Sequence, residues 1–282
     1  MINFKIKYQL SKDVFILFCA LNAFGYDDEN NKKGMHPTRK KARAILKKNN
    51  WNQKYPYLKK IFKKTGHWYL IRALLKKDKN IKKIKTLNNY FVLNLEKFTK
   101  EPSVKKAWKD LRDFHLREVK KLFPLFKKET VRLIAFINRP PKGIKKIVFI
   151  VNLLDAYWRG YALKIGEIGY VVVGPGVEKH RGELMLHELL HLLAPALRLP
   201  RRVTAGRNRK RLTIIDYRNP SIINREYVVR SLNLYYQSAV LKMDISKIIK
   251  HEEKDFPYIR KVLAFVKAEK EKGRPYNYQG GL

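Results

Sequence analysis

The stretch LMLHELLHLL, residues 184–193, carries the densest chemical signal in the chain. It sets His187 and His191 four positions apart, with Glu188 directly after the first. Residues four apart on an α-helix lie one turn above each other on one face, so both imidazoles can reach a single tetrahedral metal ion. Glu188, about 100° further round such a helix, can lean over the open coordination position and take a proton from a water there. Leu184, Met185, Leu186, Leu189, Leu190, Leu192 and Leu193 make the helix apolar nearly all round, the pattern of a buried element. Three titratable groups buried in such a helix are costly unless they are paired or share a metal.

Working outward, Ile168–Val173 (IGYVVV) reads as a strand stopped by Gly174–Pro175–Gly176, with two earlier strands at Lys146–Leu154 and Tyr157–Lys164. Short glycine-bearing links between them favour a mainly antiparallel sheet. The motif helix is expected from Arg181 to Ala194, ended by Pro195. Beyond it come a basic loop, Arg198–Arg211, a long helix from Ser221 to Leu241 with Ser221 as cap, and a last helix over Asp255–Lys272. From Phe4 to Phe136 apolar residues recur three and four apart, which predicts about six short helices. Breaks are expected at Asp27–Pro37, Pro56, Gly66, Pro102 and Pro124. Pro140–Pro141 followed by Gly143 marks a change of character. The expected architecture is α+β: a Lys-rich helical domain over 1–140, a second domain over 141–272 with the sheet and the motif helix, and a flexible tail over 273–282.

The chain's 63 Lys and Arg stand against 24 Asp and Glu, a net charge of +39. Apolar residues make up 45% of it, enough to bury a core, which excludes a disordered basic tail. An A/T-rich genome would explain the lysines but not the scarcity of Glu, whose codons are also A-rich. A field of this sign attracts phosphate polymers and acidic surfaces. The single cysteine, Cys19, excludes an internal disulfide and a cysteine-built zinc or iron–sulfur site. The longest apolar run, Val14–Phe24, is shorter than the roughly 20 residues of a membrane span, and reads as a first helix, with a cleaved signal as the lesser reading. A cytoplasmic location is the expectation.

Over Gly182–Leu193 the sequence resembles the zincin metallopeptidases, and more loosely so over Ile168–Leu241 in its order of strand, HExxH helix, loop and helix. The resemblance implies a zinc-dependent hydrolysis of peptide bonds, and a strand before the motif helix, Ile168–Val173, that forms the sheet edge and pairs with extended substrate. His191 is followed by LLAPALRLP, which lacks the glycine and third histidine of the metzincin pattern. The gluzincin pattern instead implies a glutamate from a later helix as third ligand, here Glu226, with Asp216, His180, His251, Glu252 and Glu253 as alternatives. The gap from His191 is 35 positions, and Arg230 stands where an Asp often follows that glutamate. The closer likeness is to small uncharacterised bacterial and archaeal types rather than to thermolysin. On this reading zinc lies on His187, His191 and Glu226, with Glu188 as general base. Arg230 steadies Glu226 or binds a substrate carboxylate, and Tyr227, Tyr235 or Tyr236 donates to the oxyanion.

The loop between the two helices carries Arg201, Arg202, Arg207, Arg209 and Arg211, whose planar forks suit phosphate or carboxylate. It reads either as a clamp for an acidic substrate or nucleic acid, or as a solvated loop. The remaining histidines, His36, His67, His115, His180 and His251, show no ligand spacing and are assigned no role. The expected partners are a peptide or protein substrate and a non-specific nucleic acid or acidic partner, without a membrane span. The alternative function is a basic nucleic-acid-binding or scaffold protein whose zincin site is structural or degenerate.

Overall fold

The computed structural model describes residues 4–26, 34–47, 50–76, 89–138, 143–178, 182–194, 197, 199 and 220–272. It is a mixed α/β protein. Two compact units form, one from residues 1–127 and 143–188 and the other from 128–142 and 189–282, so the units do not follow the composition boundary at 140. The expected tail and, apart from Leu199, the Arg198–Arg211 loop lie outside the described residues.

In the first unit the chain opens with strand β1 (Lys5–Tyr8) and helix α1 (Lys12–Ala23). Ser11 caps α1 by accepting from the Val14 amide, and Gly25, at φ +86°, takes the left-handed turn that follows the helix. Every residue from Val14 to Asn22 is buried, so the long apolar run is the central core helix. Around it stand α2 (Pro37–Leu46), α3 (Trp51–Lys54), α4 (Pro56–Lys64), α5 (His67–Lys76), α6 (Asn89–Thr99) and the long α7 (Pro102–Ile137). Pro37, Pro56 and Pro102 each open a helix, where the missing N–H costs nothing. Pro124, expected as a break, lies inside α7 instead. Pro124 and Lys120, whose carbonyl loses its helical partner, are both exposed, so water can satisfy that carbonyl.

Strands β2 (Lys146–Val151), β3 (Gly160–Ile165) and β4 (Ile168–Val173) complete a four-stranded sheet of order β1-β2-β4-β3. The expectation of a mainly antiparallel sheet is corrected: β1 with β2 and β2 with β4 are parallel, and only β3 with β4 is antiparallel. The expected edge strand, Ile168–Val173, is central. The cause is connection length. The two-residue turn at 166–167, with Gly166 at φ +56°, forces β3 and β4 into a hairpin, while residues 152–159 are long enough to step past one strand position. β3 is thus the edge. Arg159, directly before β3, accepts from the Gly174 amide, so by alternation Gly160, Ala162 and Lys164 turn their backbone groups away from β4. The Trp68 indole N–H on α5 donates to the outward Ala162 carbonyl at 2.9 Å.

Residues 152–159 are pinned by buried polar contacts. Asn22 donates to the Leu154 carbonyl at 2.9 Å, the Leu153 amide donates to His115 Nε2 at 3.1 Å, and the Tyr26 hydroxyl donates to Asp155 Oδ1 at 2.6 Å. Arg39, fully buried, donates to Asn22 Oδ1 and to the Tyr26 carbonyl and stacks on the Tyr26 ring. His115 must be neutral, because Nε2 can accept only when it carries no proton, and Nδ1–H then donates to the Leu111 carbonyl. The Gly174 and Gly176 amides hold the Arg159 and Tyr157 carbonyls at 2.8 Å each. A Cβ at Gly176 would sit 2.3 Å from the Tyr157 oxygen, so only glycine permits that approach.

The second unit contains the end of α7, the later part of the motif helix α8 (Glu183–Leu193), α9 (Pro220–Ala239), α10 (Ser246–Glu252) and α11 (Ile259–Glu271). Pro220 opens α9, which puts Ser221 inside the helix rather than at its cap. Tyr236 donates to buried Glu129 at 2.6 Å and packs its ring edge-on against Phe136, which joins α9 to α7. Among the described residues no helix is long and apolar enough to cross a membrane.

Asp155 and His115 give the first unit opposed pH responses. Burial pushes Asp155 up to about 6 from an ordinary value of 3.8, against the pull of the Tyr26 hydroxyl, and it pulls His115 down to about 4 from 6.5. Between pH 4 and 6 folded Asp155 holds a proton that the unfolded chain releases, so its contribution to stability falls as pH rises; folded His115 lacks a proton that the unfolded chain holds, so its contribution rises. Asp155→Asn removes only the falling contribution. Urea unfolding should show the stability of the variant relative to wild type increasing with pH across that window, by about 1.4 kcal/mol per pH unit. A constant difference would show that Asp155 does not titrate there.

Candidate metal centre

Helix α8 forms as its sequence demands: Met185, Leu186, Leu189 and Leu190 are fully buried, and Leu184 and Leu193 nearly so. His187 and His191 are half-buried on its remaining stripe. His187, Glu188 and His191 all lie on this one helix, Glu183–Leu193. Helix α9 supplies Glu226, whose Oε1 lies 3.0 Å from His191 Nε2 and whose side chain is only 9% exposed.

Among the described residues one group of His, Cys, Asp or Glu side chains can share an ion: His187, His191 and Glu226, with ligand atoms all within 4.8 Å of one another. Zinc bonds of about 2.0–2.1 Å in a tetrahedron put donor atoms roughly 3.3 Å apart. The His191–Glu226 separation is close to that, and two neutral imidazoles with one carboxylate are a donor set that zinc accepts. The three residues fit a small divalent cation.

Two arginines on α9 support the group. Arg225 donates to the His191 backbone carbonyl at 2.9 Å, which satisfies a last-turn oxygen of α8 that has no helical partner. Burial lowers the Arg225 guanidinium from its ordinary value, and Glu226 beside it works the other way. Arg230 Nε lies 3.4 Å from Glu226 Oε2, while its Nη1 donates to both oxygens of Glu252 at 2.9 and 2.7 Å. The guanidinium also stands 4.3 Å over the Phe256 ring. Glu252 neutralises Arg230, so the arginine can orient Glu226 without adding a full positive charge beside a cation site.

Glu188 is buried, with its carboxyl group against the first residue of β3. A Cβ built on Gly160 would fall 2.4 Å from Glu188 Cγ and 2.6 Å from Oε1. Gly160 therefore leaves the space that the Glu188 carboxylate fills.

The structure thus brings together His187, His191, Glu226 and Arg230. Arg230 Nε stands at ion-pair distance from Glu226, 3.4 Å, and its Nη1 is engaged by Glu252. Tyr227 is buried edge-on against Phe256, Tyr235 packs against Phe136, and Tyr236 serves Glu129. Of the alternative ligands, Glu252 holds Arg230 and Glu253 pairs with Arg260, His251 lies exposed on α10, and His180 and Asp216 lie outside the described residues. So do Arg201, Arg202, Arg207, Arg209 and Arg211. The supporting roles of Arg225, Glu252 and Gly160 were not read from the sequence. A cation directly before Glu226 was the one available signal.

The chain matches no family model, and no curated protein or solved structure is significantly similar to it.

The geometry generates a metal-binding expectation. Purified wild-type protein should carry about one zinc per chain, and Glu226→Ala should lose most of it, as read by elemental analysis. Arg230→Met should weaken zinc retention against a chelator by about tenfold. Equal zinc content in wild type and Glu226→Ala would remove Glu226 from the ligand set.

Proposed function

We propose that this protein is a zinc-dependent hydrolase, a gluzincin-like metallopeptidase that cleaves peptide bonds. The observation that carries the reading is the convergence of His187, His191 and Glu226, with a buried carboxylate, Glu188, next to the first histidine on the same helix. His187, His191 and Glu226 would hold the ion, which when bound would supply Lewis acidity to a water and a carbonyl.

The chain's own residues do the rest. Glu188, held in the space beside Gly160, takes a proton from the attacking water and returns it to the amine as the carbon–nitrogen bond breaks. Burial of Glu188 keeps bulk water from competing for that proton. Arg230, braced by Glu252 and Phe256, keeps the Glu226 carboxylate turned toward the histidines.

The deciding experiment compares wild type with Glu188→Gln on a mixture of unstructured peptides, followed by mass spectrometry. Wild type should cut peptide bonds, and Glu188→Gln should lower kcat by about 10²–10⁴-fold with zinc content unchanged. Retained turnover in the variant would refute the role of Glu188. A zinc-loaded wild type that cuts no peptide would refute the peptidase reading. Gly160→Ala, which crowds the Glu188 carboxylate, should lower kcat more than it raises KM.

A further inference from the structure

Between Asn30 and Lys77 the chain has sixteen Lys or Arg and no Asp or Glu. Helices α2 to α5 are all cut from this stretch. In α4 the spacing puts Tyr57, Lys60 and Lys64 on one stripe, three and seven apart, with Lys63 exposed beside it. The Tyr57 ring meets Tyr90 of α6 edge-on at 5.4 Å between centroids. Tyr90 itself is 61% exposed, and Leu93 and Lys97 continue its stripe along α6, also exposed. Among the described residues, two acids of α6 and its C-terminal end have other settings. Glu96 is turned about 120° from Tyr90 itself and lines a hollow with Lys12 and Lys100, while Glu101 is held by Lys54 and Tyr55.

We infer that this face of α4 and α6 binds single-stranded nucleic acid. Lysines without nearby acids attract phosphates and release their counterions, which is independent of sequence. Lysines alone would serve any polyanion. The feature that selects a ligand is the exposed ring of Tyr90, paired at a steep angle with Tyr57 of the lysine-bearing helix α4 and sharing its own stripe with Lys97. An exposed aromatic ring among lysines stacks with a base, and every base offers a face for it once it is out of a duplex. A duplex hides its base faces, and an acidic polypeptide has none. The inference is independent of the metal centre.

The test uses the full-length protein and fluorescence anisotropy with labelled oligo-dT and oligo-U of about 20 nucleotides, a duplex of the same length, and polyglutamate as competitor. The wild type should bind both single strands more tightly than the duplex, with affinity that falls steeply as salt rises. Tyr90→Ala should weaken single-strand binding about tenfold with little effect on duplex, and Tyr90→Phe should restore it. Joint Lys60→Glu, Lys63→Glu and Lys64→Glu should weaken binding about a hundredfold or more and flatten the salt dependence. The same charge change at Lys105, Lys109 and Lys120, exposed on α7, should cost far less. Glu188→Gln should bind as wild type does. Circular dichroism confirms that each variant is folded. The inference is overturned if Tyr90→Ala binds single strands unchanged, if duplex or polyglutamate binds as tightly, if the α7 changes cost as much, or if no binding is seen at about 50 mM salt.

Discussion

Glu226 presses a carboxylate against the ring of His191 at 3.0 Å in a place almost shut off from water, and much of the second unit is arranged around that contact. A charge so placed is costly unless neighbours compensate it. Arg230 lies one turn further along α9, but an arginine alone would replace one buried charge with another. Glu252 from α10 takes the guanidinium in two bonds and Phe256 offers it a ring face. Arg225 turns to the end of α8, where a cation also meets the negative pole of that helix. Three helices are thus coupled by one alternating set of charges, and a divalent ion would complete it.

The first unit treats Glu188 in another way. It provides space rather than charge. Gly160 can stand beside the carboxylate only because the preceding eight residues are immobilised: by Asn22 and His115 on carbonyl and amide groups, by Tyr26 on Asp155, and by the two glycine amides of 174 and 176. Arg39, wholly buried, ties this set to α1 and α2. A surface loop of the same length without such bonds would wander by more than the clearance at Gly160 allows.

Local signals in the sequence were strong where one residue type has one physical use. The helix of 184–193 was legible because few apolar helices bear two histidines four apart, and the strand Ile168–Val173 because a short β-branched run between turn residues has little choice. Glu226 stood out only through the resemblance to the gluzincin pattern, and its carboxylate lies 3.0 Å from His191. What escaped depends on distance in space. β1 is four residues, KIKY, mostly exposed and alternating with lysine, and it exists because β2 offers an open parallel edge. Whether β4 sits at the rim or the centre is decided by comparing a two-residue link with an eight-residue one, not by the strand's own composition. Pro124 suggested an end to a helix whose apolar face continues on both sides of it, at Leu122 and Phe126. Glu252 gave no sign, since its partner is 22 positions away on another element.

The indole of Trp68 seated on the Ala162 carbonyl has a bearing on how the molecule behaves in a crowd. β3 ends the sheet, and a bare terminal strand is a template on which another chain can add its own backbone, the first step toward fibrils or domain exchange. One ring from a neighbouring helix interrupts that ladder at its middle rung. For a chain with a Val- and Ile-rich sheet, this side chain acts as a guard against self-association, and its loss would be felt first as insolubility rather than as unfolding.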